Sequence, residues 1–140
     1  MRTYAIASLL ILFTALVSCG NTKSTMPAEM LVGKTWQLST MNGQTVNAPA
    51  SGRAVAHITF TTDNKAMGNS GCNNFSGSYN LNDEGGLNIS QVMATKMFCE
   101  GVDEGGFFDA LDKVTMSKVE KDKLTLMNGT DEVLVFVPKQ

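Results

Sequence analysis

Three cysteines and a single histidine are the residues of this 140-residue chain best suited to thiol catalysis, redox chemistry or zinc binding. A cysteine nucleophile needs a free thiolate and a histidine within hydrogen-bond reach. His57 alternates with Ile58 on a predicted strand, which favours a solvent-facing position. Structural zinc needs a full set of Cys or His ligands, and after Cys19 only His57, Cys72 and Cys99 remain. We therefore expect no catalytic residue, no metal site and no cofactor.

The N-terminal segment combines one positive residue, Arg2, with an uncharged apolar run from Tyr4 to Val17. This layout is typical of a secretory signal, and the run is shorter than the roughly 20 apolar residues of a membrane-spanning helix. It ends in LVSCG at residues 16–20, which resembles the lipobox of bacterial lipoproteins, where the cysteine thiolate accepts a diacylglyceryl group. We expect cleavage before Cys19 and lipidation of Cys19. An ordinary signal peptide with a chance cysteine is the alternative.

The predicted organisation is a signal peptide over residues 1–18, a flexible tether over residues 19–30 and one domain over residues 31–138. Acyl chains such as palmitate would anchor the mature chain, because each buried methylene contributes about 0.8 kcal/mol. No acidic residue follows Cys19, where some bacteria use Asp to retain lipoproteins at the inner membrane. We therefore expect an outer-membrane anchor, with the domain in the periplasm or at the cell surface.

Charge and composition restrict the partners. Loss of Arg2 leaves ten basic residues against thirteen acidic ones, a mild net charge of −3 without a basic stripe. This disfavours a nucleic-acid partner. The acidic residues are scattered in loops without the spacing of a calcium loop. We expect a monomer.

Cys72 and Cys99 remain for the folded part of the chain, and an exported domain meets an oxidising compartment. A disulfide between them would close a loop of about 28 residues and stabilise the fold by roughly 3 to 4 kcal/mol. Two free thiols or a redox-active pair are the alternatives. The absence of a Cys-x-x-Cys motif weighs against the redox-active pair.

Apolar residues alternate with a period of two along most of the domain, which predicts consecutive antiparallel strands. Asn42-Gly43 suits a type I′ hairpin turn. The apolar run at residues 133–137 predicts a strand buried on both faces. One helix is predicted over residues 103–114, capped by Asp103. A helix packed on an antiparallel sheet makes an α+β domain.

Several segments carry a resemblance to a known family: GCNNFSGSY at residues 71–79, LNI at 87–89, ATKMFC at 94–99, Glu104, and residues 107–111. They resemble the META domain (HslJ-like) family, over the chain from Leu31 to Val137. The resemblance implies a curved antiparallel sheet, a partial barrel, packed around one α-helix. It also implies an envelope setting, a loose connection with stress response and no established enzymatic activity.

The segment around Asn73 and Asn74 has two interpretations. Asparagine tolerates left-handed backbone and bonds nearby backbone groups, so a structural role in a tight bend is favoured. The alternative is a binding surface formed with Lys96 and Phe98. Many members of the resembled family carry an uncharged residue at the position of Lys96.

Methionines are numerous, nine in all, and five lie in or beside predicted strands: Met67, Met93, Met97, Met116 and Met127. Ordinary core filling is the favoured interpretation. An adaptable groove for an acyl chain or an extended peptide is the alternative.

Together these features predict a non-enzymatic envelope lipoprotein that binds a protein or peptide partner, or acts in envelope stress. A hydrolase inhibitor of the lysozyme type is an alternative, because such inhibitors use a Ser-Gly-x-x-Tyr loop. The SGSY sequence at residues 76–79 is one residue short of that pattern and continues a predicted strand. A carrier of a small apolar ligand is a further alternative, lined by Phe107, Phe108, Leu111 and the methionines.

Overall fold

The computed structural model describes residues 27–49 and 52–140. The expected signal peptide, Cys19 and most of the expected tether lie outside these residues. The elements are helices α1 (Pro27–Leu31) and α2 (Glu104–Asp112), and strands β1 (Thr35–Met41), β2 (Gln44–Thr45), β3 (His57–Phe60), β4 (Lys65–Asn69), β5 (Asn74–Leu81), β6 (Leu87–Ala94), β7 (Met116–Val119), β8 (Leu124–Asn128) and β9 (Asp131–Pro138). Neither described helix is long and apolar enough to cross a membrane.

All nine described strands form one antiparallel sheet in the order β6-β5-β4-β3-β1-β9-β8-β7, with β2 paired to β1. The sheet curves but does not close. Its two edge strands approach each other at a single isolated bridge, between Gly86 and Met116. The expected α+β class and curved antiparallel sheet are confirmed.

Helix α2 packs against β6 and β9 and buries one face. Phe107, Ala110 and Leu111 point into the core, as their helical spacing predicts. The Asp103 carboxylate caps the helix by accepting a hydrogen bond from the Gly106 N–H at 2.9 Å. The predicted helix over 103–114 is therefore confirmed, with slightly shorter bounds.

Helix α1 is not predicted from the sequence, which indicates a single helix elsewhere and a tether that extends to residue 30. Residues 27–30 are helical, and Leu31 at the end of α1 is fully buried. The Trp36 indole N–H donates to the Leu31 carbonyl at 3.0 Å. Burial of Leu31 and this bond hold a short helix that the polar composition of the segment does not indicate.

The core consists of the inward-facing residues of the strands and of α2. The largest of its fully buried side chains are Trp36, Phe60, Phe107 and Phe136. Asn42 and Gly43 both have positive φ, 48° and 78°, as the hairpin prediction requires. The prediction that residues 133–137 are buried on both faces is wrong at its end, because Val137 is exposed next to the buried Phe136, on the opposite face of β9.

Candidate binding surface

The side chain of Asn73 is the centre of a buried polar network at one end of the sheet. Its residue is only 1% exposed. The amide nitrogen Nδ2 donates to the Met97 carbonyl at 2.9 Å and to Glu104 Oε2 at 2.8 Å. The amide oxygen Oδ1 accepts from the Thr95 hydroxyl and from the Met97 N–H, each at 2.8 Å. Asn73 therefore ties residues 95–97 to helix α2.

The Glu104 carboxylate fixes the other side of this network. It accepts hydrogen bonds from the Ser70 hydroxyl and, at 3.2 Å, from the Asn73 N–H. Because Glu104 is also in the first turn of α2, its negative charge lies at the positive end of the helix dipole. Among the described residues, no buried side-chain nitrogen or oxygen lacks a partner. The sequence does not single out Ser70, and it indicates Glu104 only as one of the residues that carry the family resemblance.

Cys72 and Cys99 are joined by a disulfide, with a Cα–Cα distance of 5.7 Å. Both residues are buried. The bond closes the loop between β6 and α2 against the bend that precedes β5. One covalent attachment, the disulfide, and one set of hydrogen bonds, from the Asn73 side chain, therefore hold the same loop.

The four residues expected to form a binding surface separate into two groups. Asn73 is buried and structural, as the favoured interpretation states. Asn74, Lys96 and Phe98 are exposed, and the Asn74 amide oxygen accepts from Asn69 at 2.9 Å. Phe98 is the most exposed of the described large apolar residues, at 92%.

Two methionines extend this exposed apolar surface. Met93 is 75% exposed and Met97 is 56% exposed. We name Met93, Met97 and Phe98 the apolar tip. The expectation that the methionines fill the core is wrong here and also for Met67 and Met116, which are exposed.

Strand β6 supplies the start of the tip because its last residues are exposed. Its first residues alternate between buried and exposed, but every residue from Ser90 to Ala94 is exposed. The register with β5 shifts between Ser76 and Ser78, so that Gln91 and Val92 lie opposite Gly77. Gln91 takes a positive φ of 55° in this bulge. The bulge changes the direction of the strand and exposes both of its faces.

Residues 29–140 match the META domain, which covers the whole described sheet and helix α2. The chain belongs to the META domain family. An NMR structure of a protein from Burkholderia xenovorans is similar, with 23% identity, a TM-score of 0.63, and coverage of 99% of this chain and 96% of that one. A crystal structure of a DUF4847 family protein from Bacteroides vulgatus ATCC 8482 is also similar, with 17% identity, a TM-score of 0.57, and coverage of 78% and 94%. At these identities the likeness concerns the fold, and no curated protein matches the chain.

A groove of about 320 Å³ lies between the exposed end of β6 and helix α2 of this META domain. Its lining combines apolar side chains with two carboxylates: Val92, Ala94, Phe108, Asp109, Leu111 and Asp112. Phe108 stacks edge-on against Phe75, with ring centroids 5.7 Å apart. The groove is therefore backed by the core.

A second cavity of about 270 Å³ opens between the β1–β2 hairpin and the start of α2. Its lining includes Met41, Val46, Ala56, Val102 and Phe107. Of the residues expected to line a carrier cavity, Phe107 lines this cavity and Phe108 and Leu111 line the groove, while the methionines of the tip face solvent. The expected lining is therefore divided between two cavities, and the exposed methionines of the tip belong to neither lining.

His57, Cys72 and Cys99 are the described residues that the sequence analysis considers for nucleophilic, redox or metal chemistry. Burial lowers the pKa of His57, opposed by its contact with the Val55 carbonyl. Cys72 and Cys99 are joined in a disulfide, so neither supplies a thiolate. Within residues 27–49 and 52–140, no group of acidic, histidine and cysteine side chains could hold a metal ion. Tyr79 of the SGSY segment is buried within β5 and donates to the Thr61 carbonyl at 2.8 Å, so this segment is a strand as expected.

Proposed function

We propose that this META-domain protein is a non-enzymatic envelope lipoprotein that docks on a protein partner through the apolar tip. The observation that carries the proposal is the 92% exposure of Phe98 on a loop held by a disulfide. Exposure of a phenylalanine and two methionines to water is unfavourable, and burial of these side chains against a partner stabilises the complex. Phenylalanine and methionine are also enriched in protein interfaces.

The bracing of the loop favours binding over chance exposure. Asn73 fixes the backbone of Met97 through both its N–H and its carbonyl. A loop that is ordered before contact loses little conformational entropy when it binds. Met93 and Met97 have flexible, polarisable side chains that adapt to an irregular apolar pocket. The partner is therefore expected to be a folded protein with an apolar cleft.

The position of the tip supports a partner away from the anchor. Just after helix α1, where the chain enters the domain, the Gly33 N–H donates to the Phe60 carbonyl at 3.2 Å. Phe60 pairs with Ala66 at one end of β4, whereas Asn69, at the other end, pairs with Asn74 beside the tip. A lipid on Cys19 would therefore hold the domain by the end opposite to the tip.

Site-specific photo-crosslinking in the intact cell envelope tests this proposal. A photoreactive phenylalanine analogue would replace Phe98 in the full chain, and Lys121, an exposed residue of the β7–β8 turn, in a matched control. We expect a discrete protein adduct of reproducible mass from position 98 and none from position 121. Absence of an adduct at 98, or equal adducts at both positions, would contradict docking through the tip.

A further inference from the structure

The outer edge of β6 is an unpaired strand edge beside the apolar tip. β6 pairs only with β5 along its length. On its other side, the described residues make one backbone bond, from the Leu87 N–H to the Thr115 carbonyl at 3.0 Å. From residue 88 to residue 94 that side has no described backbone partner. Unpaired strand edges are templates for the addition of another strand.

The direction of the backbone groups in this edge follows from the pairing. The Thr95 N–H donates to the Asn74 carbonyl of β5 at 3.0 Å. Because successive backbone groups point to opposite sides of a strand, the N–H and carbonyl of Ala94 point away from β5. They are available to a segment that lies alongside β6.

Side chains along the edge lack the devices that usually protect it. The sequence SQVMAT at residues 90–95 contains no charge and no proline. Natural edge strands commonly carry lysine or proline to prevent pairing with other chains. Here only the bulge at Gln91 interrupts the edge, and the residues after it are apolar and exposed.

The adjoining groove indicates which side chains an added strand would bring. Val92, Phe108 and Leu111 provide an apolar floor, and Asp109 and Asp112 add two exposed carboxylates on one face of α2. Lys113 follows them, and neither aspartate forms an ion pair among the described residues. The groove therefore suits an apolar side chain next to a basic one.

From these features we infer that the β6 edge accepts an extended segment of the partner as an added strand, with a basic side chain at Asp109 and Asp112. The inference rests on the proposed function and specifies its partner: the segment alternates apolar residues with Lys or Arg. A second copy of this chain fits less well. Its own β6 sequence, LNISQVMA, carries no cation to place against the two aspartates.

A peptide titration tests the charge preference. The probe is a capped decapeptide of alternating valine and lysine, and the comparison peptide replaces lysine with glutamate. Calorimetry with the full chain in nonionic detergent should show one lysine peptide bound per chain. Binding of the glutamate peptide should be at least roughly tenfold weaker, because its charges would face the aspartates. Equal binding of the two peptides would overturn the inference.

Two sets of variants test the location. Ala94→Pro removes an N–H that faces the partner, and Ala94→Ser is the matched control that keeps it. The double variant Asp109→Lys, Asp112→Lys reverses the charge of the groove, and Glu84→Lys is its control in the loop before β6. Both test variants should bind the lysine peptide at least roughly tenfold more weakly than their controls. Unchanged binding in either test variant would overturn the inference.

Hydrogen exchange and sedimentation identify what occupies the edge. Bound peptide should slow amide exchange in residues 88–95, and unchanged exchange there with bound peptide would overturn strand addition. A concentration-dependent dimer that Ala94→Pro abolishes, without peptide binding, would assign the edge to a second copy and overturn the partner inference.

If position 98 still gives its adduct in Ala94→Pro, docking through the tip stands and strand addition fails. Loss of the adduct in Ala94→Pro but not in Ala94→Ser supports both.

Discussion

Asn73 and Asn74 are adjacent residues of one type with different roles. Asn73 uses its amide to join a loop to a helix, whereas Asn74 faces solvent at the start of β5. The difference follows from the position of each residue relative to the core, because successive residues of a strand point to opposite sides. The two adjacent asparagines in the sequence indicate a bend, and burial in the fold determines which of their side-chain amides has a structural role.

Replacement of Asn73 by Ala should destabilise the domain by about 2 to 4 kcal/mol, because it leaves buried partners of the amide without hydrogen bonds. Urea unfolding followed by the fluorescence of Trp36, the single tryptophan, measures the loss. Asn74→Ala is the control and should change the free energy of unfolding by about 0.5 kcal/mol or less. Similar losses in both variants would contradict the structural role of Asn73.

His57 makes the stability of the domain depend on pH. Burial lowers the pKa of His57 below 6.5, and Lys139 acts in the same direction. The unfolded imidazole therefore takes up a proton at a higher pH than the folded one. The stability associated with neutral His57 is present above pH 6.5 and is lost as the pH falls below that value.

The variant His57→Gln should show a weaker dependence of stability on pH in this range. The measurement is the urea midpoint of both proteins between about pH 7.5 and about pH 5, where histidine changes charge. The wild-type midpoint should fall more steeply than that of the variant. Parallel curves would show that other groups cause the dependence.

The bulge between β5 and β6 depends on a glycine. A Cβ at Gly77 would lie 2.9 Å from the Ser90 carbonyl oxygen and 3.0 Å from Val92. The residues that oppose it, Gln91 and Val92, begin the exposed end of β6. The bulge and the tip are therefore parts of the same structural feature.

Gly77→Ala should cost about 1 to 3 kcal/mol of stability, because the added methyl group meets backbone that must move. Gly105→Ala in α2 is the control, since a Cβ there has no neighbour within 4 Å. Alanine at that helical position should stabilise the domain by up to about 1 kcal/mol. Urea unfolding measures both variants, and a tolerated Gly77→Ala would contradict the close packing of the bulge.

The periodicity of apolar residues predicted the helices and strands better than it predicted which of their residues are buried. The helical spacing of Phe107 and Leu111 correctly indicated α2, since both residues lie on its buried face. The apolar end of β9 gave the wrong expectation at Val137, because an apolar residue can also lie on the outward face of a strand. Helix α1 has too few residues for a helical period, so its formation depends on tertiary contacts of Leu31.

The whole molecule combines an expected lipid anchor with a domain whose apolar tip lies at the end away from α1. The intact mass of membrane-extracted protein tests the anchor. We expect a chain that begins at Cys19 and carries acyl groups, with two thiols that alkylate only after reduction. An unlipidated mass would contradict the anchor. Thiols that react without reduction would contradict the bond between Cys72 and Cys99.

Several features of the protein follow from its sequence alone. Local alternation and turn residues determine the antiparallel strands, and the helical stripe determines α2, because both depend on near neighbours in the chain. The family follows from the segments around Cys72 and Cys99. The tertiary structure decided the exposure of Met93, Met97 and Phe98, since burial depends on where the bulge directs β6 and on whether another element covers it. The apolar character of a side chain determines the free energy that its burial contributes. Only the fold determines whether this chain or a partner buries that side chain.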